Sequence, residues 1–367
     1  MRTKLDEAIN RVSERLIHFN QVKIDLEDFR GLSREEAEKR GIFIRDFGME
    51  QWDWPQGVAI FSLHREGERY RAFINEWAKA EIEKGLPTKN VNTIAPILTL
   101  IDYPEYQELC LEWMEWIESN FPRTEEGGLQ HITSGPDKFS TKENEGQIWI
   151  YTFFMSILFI AKMGVKYEKP EWVNEASYQL LLHSKYLLDR ETALFYHGWN
   201  FIDRQNYGGN FWCRGNSWFT LGVPMFLEIA ETYINPAIKK YILELYRNQV
   251  DRLLELRAEN YLWHTILNDS ESYTETSGSA SILAGIYMGL RQGILDEDRI
   301  APLAHESLEA LLNTQIDEVG TVKGVSAGTP ISMFKEDYKQ IIQIPMVYGQ
   351  ATTILALVEA RRYLESE

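Results

Sequence analysis

Very little in this chain would support a cross-linked secreted domain, a metal centre or a nucleotide enzyme. Only two cysteines, Cys110 and Cys213, occur in 367 residues. That is too few for a disulfide framework or a thiolate metal site, and a reducing compartment is expected. Positive charge is short: 38 Lys and Arg stand against 55 Asp and Glu, a net charge of −17. Such a field excludes nucleic acid and anionic membrane surfaces as natural partners. No apolar run approaches the roughly 20 residues of a membrane span; residues 148–161 come closest and are too short. The first twenty residues lack the apolar core of a secretory signal and read instead as an amphipathic helix, with Leu5, Ile9, Val12, Leu16 and Phe19 on one stripe. A cytoplasmic protein is expected. Gly-x-Gly-x-x-Gly after a strand, the P-loop, His-Glu-x-x-His and Gly-x-Ser-x-Gly are all missing, so no cofactor, nucleotide or metal is expected.

Aromatic residues, by contrast, are abundant. Eleven Trp and eighteen Tyr exceed what packing alone calls for and suit either carbohydrate stacking or interfaces. The densest signal is Phe211-Trp212-Cys213-Arg214-Gly215-Asn216-Ser217-Trp218, shortly after His197-Gly198-Trp199. Trp offers an apolar face to a sugar ring, and Arg a planar fork for a carboxylate. Gly215-Asn216 reads as a turn, with Asn216 or Ser217 capping the helix that follows. The plainer reading is a helix start whose tryptophans fill core.

Helical periodicity recurs along the whole chain, over roughly 2–20, 56–82, 92–119, 146–164, 171–187, 217–232, 236–257, 277–293, 300–315 and 346–364. Breakers mark the joints, among them Gly31, Gly48, Pro87, Pro122, Gly127-Gly128, Gly135-Pro136, Gly208-Gly209, Pro236 and Gly328-Thr329-Pro330. Phe195-Tyr196-His197 and Trp263-His264 suit short strands within loops. Ten or more helices with no polar linker predict stacked helical hairpins, and both a closed toroid and an open solenoid fit. The aromatic and polar signatures cluster in inter-helix loops, which favours a toroid with one functional mouth.

Six short segments then converge: Thr88-Lys89-Asn90-Val91-Asn92-Thr93, Gly127-Gly128-Leu129-Gln130-His131, Gln147-Ile148-Trp149-Ile150-Tyr151-Thr152, His197-Gly198-Trp199, Trp212-Cys213-Arg214-Gly215-Asn216-Ser217-Trp218 and Tyr348-Gly349-Gln350. In content and order the sequence resembles glycoside hydrolase family 105, the unsaturated rhamnogalacturonyl hydrolases, from about residue 5 to residue 363. The resemblance implies an all-α fold, an (α/α)6 barrel with a funnel at one end, here one domain over 1–367. It implies a small anionic oligosaccharide as substrate, ending in a 4,5-unsaturated uronic acid left by a polysaccharide lyase. Hydrolysis of such an enol ether needs an acid to protonate C4 while water adds at C5; the hemiketal then collapses and frees the aglycone. The implied substrate contacts are Trp52, Trp54, His131, Trp149, His197, Trp212, Arg214 and Trp218. A monomer or homodimer is expected.

Two positions depart from that pattern. The family's acid, an Asp two residues after the Trp of the third segment, is Tyr151 here. A phenol has a reference pKa of about 10 against about 3.9 for Asp, so Tyr151 can give a proton but makes a costly base. A second family Asp is replaced by Asn90, which orients water or a hydroxyl, or simply caps the next helix. Three outcomes stay open: a slow or altered hydrolase, a catalytically silent sugar-binding relative, or a glycosidase using another carboxylate. Asp53, between Trp52 and Trp54, and Glu145 (with Glu143 nearby) are the candidates for the last. The segments near 52–54, 88–92, 131, 197–199 and 212–218 are expected to meet at one end of the barrel.

Overall fold

The structure is a computed structural model that describes residues 1–19, 33, 35–36, 48–135 and 137–366. The joints expected at Gly31 and Pro136, and the last residue of the first helix at 20, lie outside the described residues. Two populations of helix alternate along the chain. Outer helices bury one stripe: α1 (Arg2–Ile17) buries Leu5, Ala8, Ile9, Val12, Ser13 and Leu16 and leaves the rest to solvent. The others of this kind are α3 (Arg71–Glu83), α5 (Gln107–Ser119), α8 (Pro170–Leu187), α10 (Pro236–Glu255) and α12 (Glu297–Ala310).

Inner helices are buried all round. In α2 (Trp54–Glu66) every residue from Pro55 to Leu63 is buried. The same holds for Cys213–Leu227 of α9 (Cys213–Ala230), Thr276–Leu290 of α11 (Thr276–Arg291) and Val347–Ala360 of α14 (Val347–Ser366). The short α4 (Ala95–Leu100), with α6 (Thr152–Met155) and α7 (Ile157–Lys166), completes the set, and the five-residue α13 (Lys335–Lys339) lies in the loop before α14. Neighbour contacts run α2, α4, α7, α9, α11, α14 and back to α2, so the inner ring closes; the open solenoid is thereby excluded. Small residues allow the close approach. A Cβ on Gly285 of α11 would lie 2.3 Å from the carbonyl oxygen of Thr220 on α9.

The structure corrects several boundaries. The pattern over 56–82 is two helices, because Gly67 at φ 146° turns the chain from inner α2 to outer α3. The pattern over 92–119 breaks likewise before Pro104. The stretch 146–164 begins as a strand. Two small antiparallel pairs occupy the loops: β1 (Ile132–Ser134) with β2 (Thr141–Glu143), and β3 (Gln147–Trp149) with β4 (Gly198–Asn200). Phe195 and Trp263 make single bridges rather than strands.

All inner helices start at one end and finish at the other. The far end is shut by an ion cluster in which the fully buried Glu359 meets Arg65, Arg291 (3.2 Å) and Arg362 (3.1 Å), while Glu228 meets Arg65 and Arg291 (2.9 Å). The open end, ringed by helix N-termini, is where the candidate site lies.

Candidate active site

The β3–β4 pair sets the geometry of the mouth. Its register places Trp149 opposite Gly198, and the amide of Ile150 donates to the carbonyl of His197 (3.0 Å). On the other side the amide of His131 donates to the carbonyl of Gln147 (2.8 Å). Three chain segments far apart in sequence thus bring His131, Trp149, Tyr151 and His197 side by side. The start of α9 joins them through Asn216, which accepts from the amide of Phe195 (2.7 Å) and donates to its carbonyl (2.9 Å).

The rings form one continuous aromatic cluster around Tyr151. Its centroid lies 5.4 Å from His197, 5.6 Å from Trp212, 5.7 Å from His131, 5.8 Å from Trp149 and 6.5 Å from Trp54. His131 stacks flat on Trp149 at 3.8 Å. Burial sets the protonation states. It pushes His131 down to about 3 and His197 well below the usual imidazole range, so both are neutral. The same burial raises the phenol of Tyr151, opposed by the charge of Arg214. The Tyr151 hydroxyl donates to the carbonyl of Thr329 (3.2 Å) and lies 3.1 Å from Nε2 of His197; Nδ1 of His197 lies 2.7 Å from the hydroxyl of Tyr338.

Arg214 is where the geometry departs furthest from expectation. Its guanidinium is buried, and its fork is turned onto the protein. Nη1 donates to Ser277 (3.2 Å) and to the carbonyl and hydroxyl of Ser326 (3.1 and 2.5 Å), with Glu275 at 3.5 Å. Nη2 donates to the carbonyl of Ala327 (3.1 Å) and the hydroxyl of Thr329 (3.0 Å). The guanidinium also sits between Trp212 and Tyr348, 4.6 and 4.8 Å from their ring centres. In this structure the fork is committed to the protein: Arg214 clamps the segment 326–329 across the mouth.

Three other candidates, Trp52, Trp218 and Asn90, are engaged with the protein itself. Trp52 stacks on Trp77 at 5.4 Å and donates its indole N–H to the carbonyl of Thr93 (2.9 Å), so it is a core plug with no face for sugar. Trp218 is fully buried and meets Trp54 edge-on at 6.2 Å. Asn90 spends its side-chain oxygen on the amides of Asn92 (2.8 Å) and Thr93 (3.2 Å), a cap for the turn leading into α4. Its amide reaches Ser134 (3.3 Å), whose hydroxyl reaches Asp53 (3.4 Å). Asn90, Thr93, Ser134 and Asp53 line a cavity of ≈20 Å³, room for one water. Asp53 itself caps α2 through the amide of Trp54 (2.8 Å). Glu143 and Glu145 are exposed on the hairpin. Among the described residues no cluster of His, Cys, Asp or Glu is placed to hold a metal.

Sequence reasoning missed Glu275, Ser326, Thr329 and Tyr338. Tyr338 falls in the charged run Lys335-Glu336-Asp337-Tyr338-Lys339, where an aromatic that is buried is the only available signal.

A barrel whose aromatic mouth lies at the inner-helix N-termini matches a known family. The family model described as Glycosyl Hydrolase Family 88 covers residues 36–364. The chain belongs to this family. Among curated relatives, the unsaturated rhamnogalacturonyl hydrolase YesR of Bacillus subtilis is 31% identical over 81% of this chain and 86% of its own length. A crystal structure of a possible family 105 member from Klebsiella pneumoniae has a TM-score of 0.86 at 33% identity, covering 99% of this chain and 94% of that one. These likenesses bear out the resemblance to family 105 read from the sequence and the (α/α)6 barrel. The unsaturated glucuronyl hydrolase of Bacillus sp. GL1 shares the fold at a TM-score of 0.68 and 16% identity, covering 99% of this chain and 97% of that one. The protein is thus a glycoside hydrolase of the 88/105 type. No helix among the described residues is long and apolar enough to cross a membrane.

Proposed function

We propose that this protein releases a terminal 4,5-unsaturated uronic acid from lyase-generated, rhamnogalacturonan-type oligosaccharides, with Tyr151 as the proton donor, at a slow rate. The observation that carries the reading is the position of the Tyr151 hydroxyl. It stands in the centre of the aromatic mouth at the entry to an inner helix, beside His197 and under the influence of Arg214. The YesR relative supports the substrate class. The convergent helix N-termini favour an anionic sugar, although Asp53 and Glu275 already cap two of them.

In the reaction the Tyr151 proton passes to C4 of the enol ether and water oxygen bonds to C5. The water proton returns to the phenolate, and collapse of the hemiketal frees the aglycone. A phenol held protonated by burial is always ready to donate, but its phenolate is expensive, and that sets the slow rate. Two unpaired, buried thiols support a cytoplasmic setting, and the closed ring supports one barrel domain.

The test is loss of the enol-ether carboxylate chromophore when a lyase-made disaccharide is mixed with the protein. Tyr151→Phe is expected to abolish turnover while folding and ligand affinity survive. Turnover persisting in Tyr151→Phe would overturn the assignment and point to Asp53. Binding without turnover by the unmodified protein would identify a silent sugar-binding relative, the reading favoured by the commitment of the Tyr151 hydroxyl to Thr329.

A further inference from the structure

Four groups form a row of hydrogen bonds across the mouth: the amide of Ser332, Tyr338, His197 and Tyr151, ending on the carbonyl of Thr329. The two ends have fixed polarity. An amide only donates, so Tyr338 accepts from Ser332 at 3.3 Å. A carbonyl only accepts, so Tyr151 donates to Thr329 at 3.2 Å. One arrangement satisfies every link between them: the Tyr338 hydroxyl donates to Nδ1 of His197, and Nε2–H of His197 donates to the oxygen of Tyr151. With the imidazole proton on Nδ1 instead, the buried Tyr338 hydroxyl has no acceptor. Nε2 then draws the Tyr151 proton away from Thr329. Tyr338 is 1% exposed, so water does not offer an easy substitute.

We propose that Tyr338 is a positioning residue that holds His197 as the Nε2–H tautomer. His197 is thereby a donor to the Tyr151 oxygen and never an acceptor of its proton. The Tyr151 proton is thus directed outward, to the Thr329 carbonyl in the unliganded site and to the substrate carbon once the sugar displaces that carbonyl. After transfer, Nε2–H faces the new phenolate and stabilises it. Burial keeps His197 neutral, so its ring carries a single proton and the row of hydrogen bonds decides which nitrogen holds it. The loop that supplies Thr329, Ser332 and Tyr338 is anchored independently, by Arg214 at residues 326–329 and by Asn210, whose amide donates to the carbonyl of Ser332 (3.2 Å). Its placement therefore does not depend on the row itself.

The catalytic consequence rests on the proposed role of Tyr151, but the tautomer does not, and the two are tested separately. In the full-length protein without ligand, nitrogen-15 NMR separates protonated from unprotonated imidazole nitrogens, with His197→Gln identifying the signal. A single Nε2–H form is expected, and an Nδ1–H form or an even mixture would overturn the proposal. In Tyr338→Phe the Nδ1–H form is expected to appear; an unchanged Nε2–H signal in that variant would show that Tyr338 does not set it. If the unmodified protein turns over substrate, Tyr338→Phe should lower kcat by about tenfold with KM within about twofold. A rise in KM at constant kcat would contradict directed proton delivery. Absence of turnover in the unmodified protein would refute the hydrolase reading while the NMR result still decides the tautomer.

Discussion

Replacing Arg214 by Lys separates a loop clamp from a substrate fork. In the folded protein the guanidinium makes five hydrogen bonds to Ser277, Ser326, Ala327 and Thr329 and faces Glu275 at 3.5 Å. An ammonium keeps the charge but has no planar fork, so it cannot serve Ser326 and the Ala327–Thr329 pair together. The carbonyl of Ala327 and the hydroxyl of Thr329 lose their charged donor. With each such bond worth about 1.5–3 kcal/mol, the expected destabilisation is about 3–5 kcal/mol. With an unfolding entropy of about 2.1 cal/mol/K per residue, a chain of 367 residues then loses roughly 4–6 °C in Tm. Calorimetry of the ligand-free protein measures it, and hydrogen exchange should show the amides of 326–332 losing protection first. An unchanged Tm with abolished sugar binding would refute the clamp and restore Arg214 as the group that grips the uronate.

Stability should also depend on pH with a definite sign. His131 is held down to about 3, His183 to about 4, and His197 below the usual range, all by burial. The unfolded chain therefore binds more protons below pH 6.5. Stability should fall as pH drops from 6.5 towards 5, by roughly 1.4 kcal/mol per unit for each histidine, and a Tm that rises on acidification would contradict this. Gly285→Ala should cost at least about 1–3 kcal/mol in denaturant unfolding, because its Cβ meets backbone at Thr220 rather than a movable side chain. Tyr151→Asp should raise turnover of unsaturated disaccharide by up to about 10²–10⁴, and no gain would mean that the surrounding mouth no longer supports a carboxylic acid.

The helical order of the barrel was legible in the sequence because inner and outer helices both carry long apolar periodicity. What periodicity could not show was where one helix hands over to the next. Both α2 and α3 present apolar residues on either side of Gly67, so the pattern runs through the bend. The site's membership was also largely legible: the segments carrying Trp54, His131, Trp149, Tyr151, His197 and Trp212 do meet at one end. Their roles were less so. Gly215-Asn216 has the composition of a turn, yet lies inside the first turn of α9. There Asn216 accepts from the amide of Phe195 (2.7 Å) and donates to its carbonyl (2.9 Å), as a strand edge would. Gly215 leaves room for the ring of Trp212, since a Cβ would come within 2.8 Å of it. Arg214 follows from the same misplacement. Read as standing before the helix it is free to grip a ligand, whereas in the first turn of α9 it faces Glu275. The loop 326–338 carries no catalytic motif, because it contributes the carbonyls of Ser326, Ala327 and Thr329, two hydroxyls, the amide of Ser332 and a single tyrosine.

The rings of Trp54 and Tyr348 touch at 4.6 Å, and α2 lies beside α14 in the inner ring. On the ribosome, α2 emerges long before α14 has been translated, carrying a surface that the finished ring buries on every side. An open solenoid can add one stable unit at a time; this ring cannot. Until the last hairpin arrives, the earlier ones expose the very faces that aggregate, so the nascent protein is a natural client for chaperones. Proteolysis between residues 326 and 338 would have the converse effect. It would strip the mouth of its clamp partners while sparing the inner helices, producing a folded but inactive barrel.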